Sequence, residues 1–287
     1  MIRVGTAPVN WGVDPDYTWI EQRPYRDVLD EMKAAGYDAT EWAYTFPRDP
    51  EELDRELRLR KMALASSFCS VDFVDCYDPE PALAVCPLLR SLGSHDLLLA
   101  QASTHARCAR AGRVRPEDGL TDCEWRCLAA NLNDLAERVR GMGMRAAFHN
   151  HAGTAVETRA ELERLCAETD PTLVRLCLDT GHLAYGGGDP VGFAEAHRER
   201  LGYVHLKDVD GTLLNRARAS GLDYLSAVRQ GVFVELGQGM LDLPAFIAAL
   251  RGSDYDGWLI VEQDSTRRTP LESARMNRRY LAERFDL

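Results

Sequence analysis

The chain reads as an α/β protein, a single-domain (β/α)8 TIM barrel over residues 1–287. Short apolar runs alternate with longer, charged, amphipathic segments from one end to the other. Eight such pairs fit a chain of 287 residues, since a barrel of this kind takes ~250 residues in one piece. No Gly/Ser/Pro-rich linker and no shift in composition divides the sequence. Alternation is shared with an open doubly wound sheet, so closure of the barrel is an expectation for the structure to test.

In order, the predicted strands are Ile2–Thr6, Tyr37–Glu41, Ala63–Phe68, Asp96–Ala100, Arg145–His149, Val174–Leu178, Gly202–Leu206 and Trp258–Glu262. The predicted helices are Pro24–Ala35, Pro50–Arg60, Pro81–Leu92, Asp122–Gly141, Arg159–Glu168, Pro190–Arg198, Leu243–Leu250 and Pro270–Phe285. Several open on a proline, whose missing N–H has no partner in the first helical turn anyway. Gly36 and the pair Gly141 and Gly143 follow helices as stops. Longer connections at Cys69–Pro79, Gln101–Leu120 and Asp208–Gly237 each follow a strand, which in a barrel places them on the catalytic face as walls or lids.

Hydrophobic residues at 45% and charged residues at 28% suit a soluble globular chain. The net charge of −11 argues against nucleic acid as a partner, because that affinity is largely cation-to-phosphate contact. No apolar run approaches the ~20 residues that span a bilayer. The N-terminus reads as a strand rather than a targeting segment. The eight cysteines are scattered without a CxxC, which predicts buried free thiols in a cytoplasmic protein. Cys123 and Cys127 fall on one helical face, a weak signal for metal or redox work. A homo-oligomer is compatible with all of these features.

Polar residues collect at the ends of the last four strands. The fifth ends His149-Asn150-His151 and runs on to Glu157, and the sixth ends Asp179-Thr180-Gly181-His182. The seventh gives His205-Leu206-Lys207-Asp208, and the eighth gives Glu262-Gln263-Asp264. In a barrel these strands are neighbours, so imidazoles and carboxylates would meet at one mouth. That mixture suits one divalent ion, Mn²⁺ or Co²⁺ foremost, with Fe²⁺ or Zn²⁺ also fitting. Such an ion polarises a ketone and stabilises the enolate left when an α-proton departs. His149, His151 and His182 are candidate bases and acids. Lys207 is a candidate to donate to a substrate oxygen, with a Schiff base as its other chemistry.

The remaining candidates have plainer readings beside the functional one. Asn10, Trp11, Glu41 and Gln101 sit at strand ends, where they would line a pocket or pack the barrel. Gly186-Gly187-Gly188 lacks the lysine and serine of a phosphate loop and reads as a turn entering the Asp189-Pro190 helix start. Arg107, Arg110, Arg113 and Arg115 form a basic run, solvated or facing an anionic group.

The segments His149-Asn150-His151-Ala152-Gly153-Thr154 with Glu157-Thr158, Leu178-Asp179-Thr180-Gly181-His182-Leu183 and Val204-His205-Leu206-Lys207-Asp208-Val209 resemble the xylose isomerase-like barrel superfamily of sugar isomerases, epimerases and dehydratases. Gly5-Thr6-Ala7-Pro8-Val9-Asn10-Trp11-Gly12, Glu235-Leu236-Gly237-Gln238-Gly239 and Gly257-Trp258-Leu259-Ile260-Val261-Glu262-Gln263-Asp264 extend the likeness over nearly the whole chain, and within the superfamily it is greatest to the inosose dehydratases. The resemblance implies a metal at the strand ends held by Asp179, His205 and Glu262. The fifth-strand ligand is either Glu157, reaching in from its loop, or His149, where many relatives carry a glutamate. It also implies Glu235 as a substrate-binding residue beside Asn10, Trp11, Glu41 and Gln101. The implied reaction is dehydration of a small keto-inositol or related keto-sugar. A ketose isomerase or epimerase, a lyase of 3-keto-glycosides and a non-catalytic sugar-binding barrel are the rivals.

Overall fold

The computed structural model describes residues 1–287. Seven strands in chain order are Arg3–Thr6 (β1), Ala39–Trp42 (β2), Ala63–Val71 (β3), Asp96–Gln101 (β4), Arg145–His149 (β5), Val174–Asp179 (β6) and Leu201–Leu206 (β7). The short pieces Asp208–Val209 (β8) and Phe233–Val234 (β9) form an antiparallel ribbon outside the ring, and Trp258–Val261 (β10) is the eighth barrel strand. β1 pairs in parallel with both β2 and β10, so the sheet closes on itself and the open-sheet alternative is excluded.

Strand bounds fall within a few residues of those read from the sequence, and the departures have local causes. The segment read as one helix over Pro81–Leu92 is two, Glu80–Leu83 and Cys86–Ser91. Pro87 lacks an N–H and crowds the preceding turn, so it ends one helix and serves in the first turn of the next. The helix after Asp189 ends at Ala196 and is followed by a 3-10 turn, Arg198–Arg200. β3 runs on to Val71, and the other two long connections hold helices of their own: His105–Arg110 in one, Gly211–Ser220 and Tyr224–Arg229 in the other. A helix also follows β6 at once, Thr180–Tyr185, with the Asp179 side chain as its cap. Elsewhere Thr121 with Glu124, Thr158 with Glu161 and Thr269 with Glu272 form reciprocal capping boxes that fix where helices begin.

Most apolar burial lies between the barrel and its helices, where each enclosed Leu, Val or Phe contributes roughly 1.5–3 kcal/mol. Inside the barrel a smaller layer of Ala65, Leu98, Ala147, Cys177, Tyr203 and Ile260 forms a floor. Side chains alternate along a strand, so two residues beyond Ala147, Cys177, Tyr203 and Ile260 the same inward face presents His149, Asp179, His205 and Glu262. All eight cysteines are unpaired, but Cys76, Cys123 and Cys127 are exposed, so the expectation of uniformly buried thiols fails for helix faces and loops that look outward. No helix is long and apolar enough to cross a membrane.

Candidate metal centre and active site

Asp179 pairs in register with His205, and His149 with Cys177 two residues before Asp179, which brings the inward side chains of β5, β6 and β7 together beside Glu262. Their ligand atoms lie within 4.8 Å of one another, and all four residues are buried. His149 Nε2 is 3.5 Å from Asp179 Oδ2, and His205 Nδ1 is 3.3 Å from Glu262 Oε1 and 3.9 Å from Asp179 Oδ2. Groups bound about 2.0–2.2 Å from a common ion stand about 3–3.5 Å apart, so this spacing fits one. Both ring nitrogens of His149, Asp179 Oδ2 and His205 Nδ1 have no hydrogen-bond partner. Buried polar atoms are rarely left so; the two nitrogens of one ring diverge, but His149 Nε2, Asp179 Oδ2 and His205 Nδ1 gather in the cluster and fit a cation between them.

The surroundings fix which atoms face that point. Glu41 Oε1 accepts from Ser66 Oγ at 2.8 Å, Tyr203 OH at 2.8 Å and His205 Nε2 at 3.0 Å. His205 therefore carries a proton on Nε2 and turns Nδ1 toward Asp179 and Glu262. Burial works against a charge on Asp179 and Glu262, but Lys207 near the first, and His205 with Lys207 near the second, hold both carboxyls below the usual range. Burial works against Lys207 as well, yet Asp179, Asp264 and Glu262 outweigh it and keep the ammonium charged. Its Nζ lies 2.7 Å from Asp264 Oδ1, 3.0 Å from Glu262 Oε2, 3.5 Å from Asp179 Oδ2 and 3.1 Å from His182 Nε2. The Lys207 stem passes so close to Gly181 that a Cβ there would stand 2.6 Å from Lys207 Cγ. Burial, more than any neighbouring charge, lowers the pKa of His149, His151 and His182, so these three imidazoles are neutral.

Above the quartet opens a cavity of about 530 Å³. His149, His151, His182, Lys207, Glu41 and Gln101 line it, as their place at strand ends led one to expect. The His151 and His182 rings lie 3.9 Å apart, and His151 Nδ1 is 2.7 Å from the Ala152 carbonyl, so Nδ1 carries the proton and Nε2 is a bare lone pair. Sequence reasoning missed Asp14, Asp16 and Tyr17 on the first loop, Phe68 against His149, and Tyr224, whose hydroxyl donates to Asp264 Oδ2 at 3.1 Å. Asp14-Pro15-Asp16, in the connection between the first strand and the first α-helix, was a readable signal; Tyr224, on a helix inside a long connection, carried none. A larger cleft of about 790 Å³ opens around Arg3 and Trp258 at the opposite end of the barrel, away from the quartet.

Several expected site residues are elsewhere. Glu157 is enclosed, but its oxygens accept from the backbone N–H groups of Gly112 at 2.6 Å and Gly153 at 2.7 Å, and it is not one of the clustered ligand atoms; the fifth-strand member of the cluster is His149. Asn10 does not line the cavity. It ties β1 to β10 by donating to Thr6 Oγ1 and the Val261 carbonyl and accepting from Gln263 N. Trp11 packs beneath, its indole N–H donating to Glu31 at 2.8 Å. Glu235 accepts from Thr266 Oγ1 outside the cavity. The basic run faces no substrate: Arg107 forms a paired bond with Glu161, Arg110 and Arg115 meet Asp118, and Arg113 donates to carbonyls. Gly186 to Gly188 form the expected turn.

A family model described as a xylose isomerase-like TIM barrel matches residues 29–284. A protein of Geobacillus kaustophilus (strain HTA426) named inosose dehydratase is 38% identical over 97% of this chain and 93% of its own length. The rhizopine catabolism protein MocC of Rhizobium meliloti is 35% identical over 98% of this chain and 88% of its own. Among solved structures, the probable 3-DHS dehydratase AsbF of Bacillus anthracis superposes with a TM-score of 0.75 at 14% identity, covering 99% of this chain and 100% of that one. The IOLI protein, solved with a bound zinc atom, superposes with a TM-score of 0.70 at 14% identity over 98% of this chain and 97% of its own. At these identities the structural likeness is one of fold.

Proposed function

The chain belongs to the xylose isomerase-like TIM barrel family, and we propose that it is a divalent-metal-dependent hydro-lyase that dehydrates a keto-inositol or related keto-sugar. The observation that carries this reading is the buried quartet of His149, Asp179, His205 and Glu262, with its unpartnered atoms, at the floor of a cavity that suits a neutral ligand. No arginine lines that cavity, and its one ammonium, Lys207, is already surrounded by three carboxylates. A phosphorylated or carboxylated substrate would meet excess negative charge there; a polyhydroxy ketone meets hydrogen-bonding groups such as Asp14, Gln101, Ser103 and Thr154. The relatives named inosose dehydratase, 38% identical in one case, supply the reaction type. The eight unpaired thiols suit a reducing compartment, the cytoplasm.

His149, Asp179, His205 and Glu262 would hold the ion, with Mn²⁺ or Co²⁺ the first choices for this donor set and Fe²⁺ or Zn²⁺ next. When bound, it supplies Lewis-acid polarisation of the substrate carbonyl, which acidifies the neighbouring C–H. His151 takes that α-proton on its free Nε2. The C–H electron pair becomes the new double bond as the β C–O bond breaks. The departing hydroxide leaves as water with the proton that His151 gained, while His182 stays neutral beside the Lys207 ammonium. Lys207 stays charged, so it donates to a substrate oxygen rather than forming a Schiff base, which needs the free amine.

The test is turnover of 2-keto-myo-inositol with Mn²⁺, followed by mass spectrometry. The product is expected to have lost the mass of water, and His151→Gln to keep its Mn²⁺ while losing about 10²–10⁴-fold in rate. A product of unchanged mass would replace this reading with an isomerase or epimerase, and a second organic product with a glycoside lyase.

A further inference from the structure

Glu157 is fully enclosed, yet neither oxygen faces the quartet or the cavity. Oε1 accepts from Gly112, which follows the helix His105–Arg110 in the loop after β4, and Oε2 accepts from Gly153 in the loop after β5. Both loops wall the cavity: His105 and Cys108 stand on one, His151 and Thr154 on the other. A second bond reinforces the same seam, since Arg107 on that helix pairs with Glu161, whose Oε2 accepts from the Glu157 backbone N–H at 3.0 Å. Gly186 presses on Glu157, where a Cβ would stand 2.6 Å from the Glu157 carbonyl oxygen and 3.1 Å from its Cγ, so the third neighbouring loop packs against the residue.

The geometry points to Glu157 as a positioning residue that clasps the loops after β4 and β5 and thereby sets where His151 and Thr154 stand against the substrate. The inference rests on the reading of this cavity as the substrate site. A carboxylate serves both amides at once because it only accepts; a neutral carboxyl or a carboxamide must turn an O–H or N–H toward one of two N–H donors and satisfies only the other. Burial raises the Glu157 carboxyl to about 7, against the pull of the two amides and Arg107, while Glu161 adds to the rise. Tyr185 and Cys108 face it from the remaining sides, both kept protonated by burial. The clasp therefore engages fully only at neutral to alkaline pH.

The test compares the wild type and Glu157→Gln, each loaded with Mn²⁺. Expected are unchanged Mn²⁺ content, a KM for 2-keto-myo-inositol raised about 10-fold in the variant with kcat less affected, and a wild-type KM that rises as pH falls below about 7 while that of the variant stays flat. Hydrogen exchange of peptides containing Gly112 and Gly153 needs neither turnover nor the variant. Their protection in the wild type should fall at least ~10-fold as the pH drops from about 8 to about 6. Loss of Mn²⁺ in the variant would return Glu157 to the metal centre, and pH-independent protection would overturn the clasp. If 2-keto-myo-inositol is not turned over, the substrate reading fails while the exchange and Mn²⁺ measurements still decide the role of Glu157.

Discussion

Two pairs of carboxylates sit buried at the same end of this barrel, and they do opposite things. Asp179 and Glu262 project from strand ends into the interior; Asp179 Oδ2 has no hydrogen-bond partner, and a charged Lys207 lies beside both. Glu157 and Asp208 are no more exposed, but their oxygens are spent on backbone. Asp208 accepts from the N–H groups of Gly237, Gly239 and Leu241, shaping the loop that closes over the β8–β9 ribbon, as Glu157 does for Gly112 and Gly153. Burial alone does not separate a ligand from a structural acceptor. The partners of each oxygen do, because an ion binds lone pairs that nothing else has claimed.

The contrast breaks first on metal content. Asp179→Asn should weaken Mn²⁺ binding by more than the ~100-fold typical of losing an outer partner, whereas Asp208→Asn should leave Mn²⁺ in place and destabilise the fold by about 1–3 kcal/mol as its amides lose acceptors. Elemental analysis and urea denaturation of the two variants read these outcomes separately. Equal metal loss in both would erase the distinction.

A second measurement sharpens the contrast through pH. The Glu157 carboxyl is raised from 4.5 to about 7, so between these values the folded protein holds a proton that the unfolded chain has released. Raising the pH through that window therefore favours global unfolding, which hands the carboxylate to water, even as it tightens the clasp between folded loops, where the carboxyl stays buried; the shift corresponds to about 3 kcal/mol in all. Glu157→Gln has no proton to lose there. The stability of the wild type minus that of the variant should fall by up to this amount from pH about 4.5 to about 7, then level off. Urea denaturation across the range checks it, and a difference that does not change with pH would place the ionisation elsewhere.

The barrel was legible because short continuous apolar runs, buried on both faces as in β4 and β7, alternate with longer amphipathic helices in a single sequence. The helices read at Arg159–Glu168 and Pro270–Phe285 are observed with the same bounds, their starts fixed by the capping boxes of Thr158 with Glu161 and Thr269 with Glu272. The quartet was nearly legible, since adjacent parallel strands deliver their last inward residues to one rim, and Asp179, His205 and Glu262 all lie within one residue of a strand end. Glu157, expected among the ligands, lies outside the cluster because a motif shows which residue types lie near a site but not where a loop turns them. Asn10 and Trp11 take the packing alternative, tied to β10 and to Glu31, and Glu235 is held by Thr266 outside the cavity. Tyr224 and Phe68 went unseen because an aromatic residue in a loop or strand is ordinarily packing.

Glu41 falls between the two classes and is the finest test of the contrast. One of its oxygens is claimed three times, by Ser66, Tyr203 and His205, as a structural acceptor would be. Yet one of those donors is itself in the quartet, so Glu41 would bear on an ion held there through the His205 ring. Glu41→Gln keeps an acceptor but removes the charge that orients the ring and makes Nδ1 more electron-rich. The expected result is Mn²⁺ affinity lower by about 10–100-fold with the stoichiometry of binding unchanged, a partial effect between those of Asp179→Asn and Asp208→Asn. Titration calorimetry of the three variants ranks them. An affinity in Glu41→Gln equal to that of the wild type would mean that packing alone holds the His205 ring, and the contrast would then reduce to ligands and loop clasps with nothing between.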